Sequence, residues 1–206
     1  MKDKPHLRAF FARYYDRLIA PLERWGLAGL RKNLVSKAWG KVLEIGAGTG
    51  LNFPYYRKQQ VELVVALEPN PVMRKKALAR ANQASVPIAV VEGDAQDLPF
   101  PDETFDTVVG TLVFCTIPDP FLALREVRRV CKSNGRILLL EHVRGDHPLL
   151  GRVLDWATPV WRRLCDGCHL NRDTLALVER AGLCAVQLEK HAKGLLLGIE
   201  VRKQGD

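Results

Sequence analysis

Two short stretches of this chain carry residues whose types and spacing could do chemistry. One is Cys165-Asp166-Gly167-Cys168-His169, a C-x-x-C-H pattern. That spacing is the attachment signature of a c-type haem, and paired thiols with an imidazole are also zinc ligands. The other is Glu44-Ile45-Gly46-Ala47-Gly48-Thr49-Gly50. Glycine at every second position lets a backbone turn sharply and approach a ligand with no Cβ in the way. Two carboxylates accompany it: Glu68, eighteen residues after Gly50, and Asp94 in EGDAQDLPF. Glu68 is suited to accept two hydrogen bonds from ribose hydroxyls, and Asp94 one from the exocyclic amine of adenine.

The elements that must position these groups follow from Lys41 onward as alternating strands and helices. KVLEIG, VELVVALEP, PIAVVEGDA, FDTVVGTLVF and GRILLLEHV read as strands. PVMRKKALARANQ, DPFLALREVRRVCK and NRDTLALVERAGL read as helices, the second capped at Asn134-Gly135 and the third bounded by Asn171 or Asp173 and by Gly182. CAVQLEKHA and LLLGIEVRK close the chain as an antiparallel pair. The pattern implies an α/β fold: a Rossmann-like, seven-stranded, mostly parallel sheet with an antiparallel last pair and helices on both faces. Residues 1–40 form an N-terminal basic amphipathic helical segment, and residues 41–206 the main domain. The stretch 144–170, with Trp156, Pro159 and Trp161, interrupts the alternation after the fifth strand and is expected to be a lid insertion.

In the N-terminal segment, Leu7, Phe10, Phe11, Tyr14, Leu18, Leu22 and Trp25 fall three or four apart on one stripe. The stripe either packs on the main domain, which is the expectation, or lies on a membrane surface. Pro21 should kink or divide the helix.

The glycine loop follows a strand and should open a helix. A dinucleotide site wants G-x-G-x-x-G, and Leu51 stands where its third glycine belongs. E-x-G-x-G-x-G matches in full. Glu44, Gly46, Ala47, Gly48, Thr49, Gly50 and Asn52 from the loop are therefore cofactor candidates. So are Glu68, Pro69, Asn70 and Met73 after the second strand, Asp94 and Ala95 after the third, and Thr111 and Leu112 closing the fourth. Four consecutive strand ends each supply a plausible ligand group.

VLEIGAGTGLNFPYY, ALEPNP, EGDAQDLPFPDETFD and TLVFCTIPDP resemble the class I S-adenosylmethionine-dependent methyltransferases of the type that includes quinone and phosphatidylethanolamine methylases. Over residues Glu141–Val143, Pro159–Trp161, Asp166–Cys168, Leu170 and Arg172 the chain also resembles the microsomal alkyl-thiol S-methyltransferases of the methyltransferase-like family. Those enzymes begin with a hydrophobic anchoring segment, where this chain has its basic amphipathic stretch. The resemblance implies S-adenosyl-L-methionine as cofactor, S-adenosyl-L-homocysteine as product and methyl transfer to a small molecule, a thiol above all. Methylation of a phospholipid head group or a quinone precursor is the alternative. His142, Asp166 and Tyr14 are the catalytic candidates, with His169 also near the acceptor. Asp166 either orients a donor or caps the turn at Gly167.

The totals agree with this. The chain has 206 residues, 47% of them hydrophobic and 26% charged, and no apolar run near the ~20 residues of a membrane span. The net charge of +8 is concentrated at the start, where ten basic side chains up to Lys41 face only Asp3, Asp16 and Glu23. That excess suits peripheral contact with an anionic membrane through residues 1–40, or a solvated helix face. Nucleic acid is not an expected partner: the basic segment lacks interleaved aromatics on a basic face, and TLVFCTIPDP stands where RNA and DNA methylases carry an N/D-P-P-Y/F motif. With no export signal in view, a cytoplasmic location, possibly with peripheral membrane contact, is the expectation, and with it no structural disulfide. Cys115 and Cys184 read as core thiols. A haem would need export and a second axial ligand. Zinc would need two more ligands, for which Cys184 and His191 are available at opposite ends of one strand. No metal is expected.

Overall fold

The structure is a computed structural model, and it describes residues 5–143 and 148–204. The first residues of the expected lid, 144–147, lie outside the described residues.

Seven strands form one sheet in the order β3-β2-β1-β4-β5-β7-β6. They are β1 (Gly40–Ile45), β2 (Val61–Leu67), β3 (Ile88–Val91), β4 (Phe105–Thr111), β5 (Cys131–His142), β6 (Leu183–His191) and β7 (Leu196–Lys203). All pairings are parallel except β5 with β7 and β6 with β7. The helices are α1 (Pro5–Leu22), α2 (Ala28–Val35), α3 (Pro71–Ala81), α4 (Pro120–Val130), α5 (Pro148–Leu164) and α6 (Thr174–Arg180).

Strand alternation sends successive side chains to opposite faces, and both faces are covered. On β5, Ile137 and Leu139 join Phe105, Val108, Leu124 and Val178 in the core under α4 and α6. Leu138 and Leu140 join Val42, Val64, Leu34, Val35 and Phe53 in the core on the other face. Continuous apolar runs are what a parallel sheet buried on both faces requires. Asn70 caps α3 by accepting from the Val72 and Met73 amides, with Pro71 at the first position. Asp173 caps α6 by accepting from the Ala176 amide.

Four expectations are corrected. The glycine loop opens no α-helix; a single 3₁₀ turn, Phe53–Tyr55, follows it. Pro54 supplies no amide to an i→i−4 ladder and disfavours helical geometry at Phe53, so the chain turns away towards β2. Helix α4 ends at Val130, and Asn134-Gly135 is no cap. The chain extends at Cys131, pairs with Phe105, bulges, and resumes pairing at Arg136 with Thr107. Third, α1 runs through Pro21, and the break comes at Gly26, whose φ of 129° interrupts a short π-helical segment, Glu23–Leu27. Pro21 removes only its own i→i−4 bond, and the helix continues past it, whereas Gly26 leaves helical space altogether.

The fourth concerns packing. Phe10, Leu18, Leu22 and Trp25 of the apolar stripe are exposed, Trp25 by 90%. Helix α1 docks instead through the neighbouring face. Ala12 is fully buried, Lys76 donates to the Ala12 and Arg13 carbonyls, and Asp16 accepts from Arg80 and from the Thr49 hydroxyl. Polar anchors rather than the apolar stripe set the rotation of the helix.

Candidate active site

The expected cofactor residues converge at the carboxyl ends of β1, β2 and β4, where open α/β sheets bind ligands. Gly46 turns the chain at φ 60°, with its α-carbon so close to Val113 that a Cβ would lie 2.2 Å from Val113 Cγ2. Gly48, also in the left-handed region, faces open space. Its amide donates to Glu68 Oε2 at 2.8 Å, and the Asn70 amide donates to Glu68 Oε1 at 2.8 Å. Glu68 is thus fixed beside the loop with part of its acceptor capacity free for a diol. Burial raises its pKa, more than the two amide bonds lower it. The Ala47 amide bonds to the Leu67 carbonyl, which ties the loop to the end of β2.

Beneath the loop lies a buried polar network. Glu44 accepts from Asn52 Nδ2 at 3.0 Å and from the Tyr56 hydroxyl at 2.7 Å. Desolvation raises its pKa to about 7. Asn52 also donates to Thr111 Oγ1, and Arg31 donates to both Asn52 Oδ1 and Thr111 Oγ1. Glu23 completes the set with a 2.8 Å ion pair to Arg31. Arg31, only 3% exposed, comes from the basic N-terminal segment, where charge counting marks it as one solvated cation among ten. No sequence signal separates it from Lys32 except its place on the buried face of α2.

The remaining cofactor candidates sit as follows. Met73 and Ala95 are buried, and Pro69 bonds through its carbonyl to Arg74. Asp94 is exposed at the end of β3, with its carboxylate held by the amide and side chain of Gln96. Leu112 takes a left-handed conformation, φ 54°, and donates to the Leu140 carbonyl at 2.7 Å. A non-glycine residue there costs about 1 kcal/mol, a strain often found at ligand sites.

These donors fit an adenosyl sulfonium better than a pyrophosphate. A pyrophosphate needs loop amides free and no carboxylate beside them. Here the Gly48 amide is engaged by Glu68, and Glu44 lies under the same loop. Glu68, Asp94 and the open face of Gly48 would hold S-adenosylmethionine, which supplies an activated methyl on a positively charged sulfur. The chain's own task is to align an acceptor with that methyl and to exclude water.

The candidate acceptor residues lie at the ends of β4 and β5. The turn after α5 reaches them: the His169 amide donates to the Cys115 carbonyl at 2.9 Å, and Arg172 donates to the Phe114 and Ile117 carbonyls. This brings Cys115, His142 and Cys168 together. His142 Nε2 is 2.9 Å from Cys168 Sγ, which is 3.7 Å from Cys115 Sγ. The hydrogen bond with Cys115 and the one with His142 hold the Cys168 thiol well below its ordinary pKa, while the bond with Cys168 and burial raise that of Cys115. Burial disfavours charge on His142, but its bond to Cys168 together with the negative charges of Cys168 and Glu141 outweighs that, so its pKa is raised. Glu141, fully buried, accepts from the Val113, Phe114 and Cys115 amides and fixes the chain that carries Cys115.

Among the other candidates, Asp166 takes a left-handed turn conformation before Gly167. His169 is held by the Cys115 carbonyl and Arg172. The Tyr14 ring packs on Phe10 between the guanidinium groups of Arg13 and Arg17. The neighbouring Tyr15 packs edge-on against Phe11, and burial raises its pKa against the lowering charge of Arg31. Cys184 is exposed rather than a core thiol, and Cys115 is buried. Cys165, the first cysteine of C-x-x-C-H, stays outside the cluster; burial raises its pKa to about 11.

Strand order, glycine loop and the carboxylate after β2 together define a class I S-adenosylmethionine-dependent methyltransferase. A methyltransferase-domain family model matches residues 43–139. The chain is 31% identical to human thiol S-methyltransferase TMT1B over 91% of this chain and 80% of that protein. It is 37% identical to the Rattus norvegicus TMT1B over 72% of this chain and 62% of that protein, so the alignment spans less than two thirds of the rat relative's length. Among solved structures, a putative methyltransferase in complex with the Haloferax volcanii Trm112 activator superposes with a TM-score of 0.74 at 18% identity, over 98% of this chain and 99% of that one. Bacillus subtilis YcgJ superposes at 0.66 with 21% identity, over 88% of this chain and all of that one. The chain belongs to the S-adenosylmethionine-dependent methyltransferase family that includes the thiol S-methyltransferases.

Proposed function

We propose that this methyltransferase acts on a thiol. The observation that carries the reading is the half-buried His142–Cys168 pair at the ends of β4 and β5. It offers a soft, sulfur-rich lining suited to a sulfur acceptor. An ammonium acceptor, as in a phospholipid head group, would want a free carboxylate there. The buried carboxylate at that edge, Glu141, is committed to three backbone amides. A thiolate is a strong nucleophile, and at neutral pH a free thiol is ionised to a few per cent, so raising that fraction is the main help it needs. The human relatives TMT1B and TMT1A are named thiol S-methyltransferases. The test is transfer of labelled methyl from S-adenosylmethionine to alkyl thiols, phosphatidylethanolamine and a demethylated quinol in parallel. Label in the thiol arm supports the reading; label only in a lipid or quinol arm overturns it.

A second reading, methylation of a phospholipid or quinone precursor at a membrane surface, has its own observation. Besides the stripe on α1, helix α5 exposes Leu149, Val153, Trp156, Val160 and Leu164, spaced along one face. Arg13 and Arg17 on α1, Arg24 just after it, and Arg152 and Arg163 on α5 lie near these stripes in sequence. Apolar faces with basic neighbours suit an anionic membrane interface. The phosphatidylethanolamine N-methyltransferase of Cereibacter sphaeroides is 33% identical over 58% of this chain and 59% of that protein. Among the described residues, no helix is long and apolar enough to cross a membrane.

A further inference from the structure

The geometry points to a zinc-type cation site made by Cys115 Sγ, His142 Nε2 and Cys168 Sγ, open at a fourth position that takes the acceptor sulfur. The three ligand atoms lie within 4.8 Å of one another. Zinc bonds thiolate sulfur at about 2.3 Å and imidazole nitrogen at about 2.0 Å, so two sulfurs on one tetrahedral ion sit roughly 3.8 Å apart. Cys115 and Cys168 are already at 3.7 Å. His142 Nε2, at 2.9 Å from Cys168 Sγ, has to draw back by roughly 0.6 Å to reach the corresponding nitrogen–sulfur edge.

Charge and burial favour the same assignment. Two thiolates neutralise a divalent cation, which suits a site whose neighbouring carboxylate, Glu141, is already satisfied. His142 Nδ1 is buried with no hydrogen-bond partner among the described residues. A protonated imidazole would bury a charge with that N–H unmatched, whereas a neutral ring ligating through Nε2 buries only a neutral N–H. Three protein ligands with one open position is the arrangement of catalytic rather than structural zinc. The ligands come from the ends of β4 and β5 and from the turn after α5. Cys165 and His169 take no part, so the C-x-x-C-H pattern contributes one ligand, and the two further ligands that zinc requires are Cys115 and His142 rather than Cys184 and His191.

The role at the fourth position rests on the thiol reading. The acceptor thiol releases its proton to solvent on binding, and its sulfur lone pair forms the new bond to the methyl carbon. The sulfonium sulfur keeps the electron pair of the bond that breaks. The neutral thioether, a weaker ligand, then leaves. Arg172, whose charge acts on Cys115 and Cys168, offsets the extra negative charge of the bound thiolate.

Cobalt(II) is the probe. The reduced full chain, titrated with cobalt(II), should bind one equivalent, with thiolate-to-cobalt charge-transfer absorption in the near ultraviolet and tetrahedral d–d bands, and zinc should displace it. Cys115→Ser and Cys168→Ser should each weaken binding by at least about tenfold, while Cys184→Ser binds as the parent does. Should a serine variant fail to fold, the parent chain still gives an answer: zinc should protect Cys115 and Cys168, but not Cys184, from alkylation read by peptide mass. No charge-transfer band, a band that survives Cys168→Ser in a folded variant, or no protection overturns the site. The two readings fail separately. Metal binding without thiol methylation overturns the acceptor assignment and leaves the site. Thiol methylation at an undiminished rate after chelator treatment overturns the metal's role in activating the acceptor and leaves the acceptor.

Discussion

Arg31 Nη1 donates to Thr111 Oγ1 at 2.6 Å, joining two residues 80 positions apart in sequence. Through that bond the N-terminal segment reaches the end of β4, under the cofactor loop. Removing one partner of a buried, charge-assisted network leaves the others unmatched, at about 3–5 kcal/mol. Arg31→Ala should therefore lower the melting temperature by roughly 10 °C for a chain of this size. It should also weaken S-adenosylhomocysteine binding in calorimetry, since Asn52 and Thr111 lose their anchor. A melting temperature within two degrees or so of the parent would remove Arg31 from the site.

Gly46 and Val113 make a second pair that can be tested jointly. Alanine at position 46 meets Val113 Cγ2 at 2.2 Å and must hold a φ of 60°. Gly46→Ala should cost at least about tenfold in cofactor affinity, from the collision plus about 1 kcal/mol of left-handed strain. Adding Val113→Ala removes the collision and leaves the strain, so the double variant should bind more tightly than Gly46→Ala alone. Additive losses in the double-mutant cycle would show that the two positions do not touch in the working protein.

The cofactor half of the site is legible in sequence because it is written in local code. Each strand ends where its glycine or carboxylate stands, so Gly46, Gly48, Glu68 and Ala95 can be placed from spacing alone. The acceptor half depends on which distant residues meet. Cys115, His142 and Cys168 lie up to 53 positions apart, and C-x-x-C-H draws attention to Cys165, which stays outside the cluster, and to His169, which bonds the Cys115 carbonyl rather than a sulfur. Burial of Arg31 depends on the rotation of α2, and exposure of the α1 stripe on Asp16 finding Thr49 and Arg80. Periodicity records an apolar face without recording whether the domain or something else covers it. Pro54, four residues after Gly50, is the local signal against a helix there.

Exposed Trp25 and Trp156, at 90% and 83%, make membrane contact directly measurable. If α1 and α5 meet anionic lipid, vesicles containing phosphatidylglycerol should shift tryptophan emission to the blue, and about 0.5 M salt should reverse much of the shift by screening the arginines. Phosphatidylcholine vesicles should give a weaker response. Trp25→Ala and Trp156→Ala should each remove part of the signal, and the double variant most of it. Unchanged emission with anionic vesicles at low salt would count against membrane contact through these faces.

The last prediction concerns Glu44, whose buried carboxyl is raised to about 7. A folded pKa above the unfolded value of about 4.3 means the native state binds the extra proton between those limits. Stability from this group is therefore greatest at acid pH, falls as pH rises from about 4.3 to 7, and is level above that. Glu68 and Glu141 are raised as well, also by burial, and act in the same direction, so the parent's own profile cannot isolate Glu44. The difference between Glu44→Gln and the parent can. Glutamine keeps an acceptor for Tyr56 or Asn52 and does not titrate, so its stability relative to the parent should improve by on the order of 2 kcal/mol from pH 5 to pH 8. Urea melts of both proteins at the two pH values measure it. A difference that stays flat, or that moves in favour of the parent at pH 8, would mean that Glu44 is already ionised at pH 5 and that Arg31, rather than burial, governs its charge.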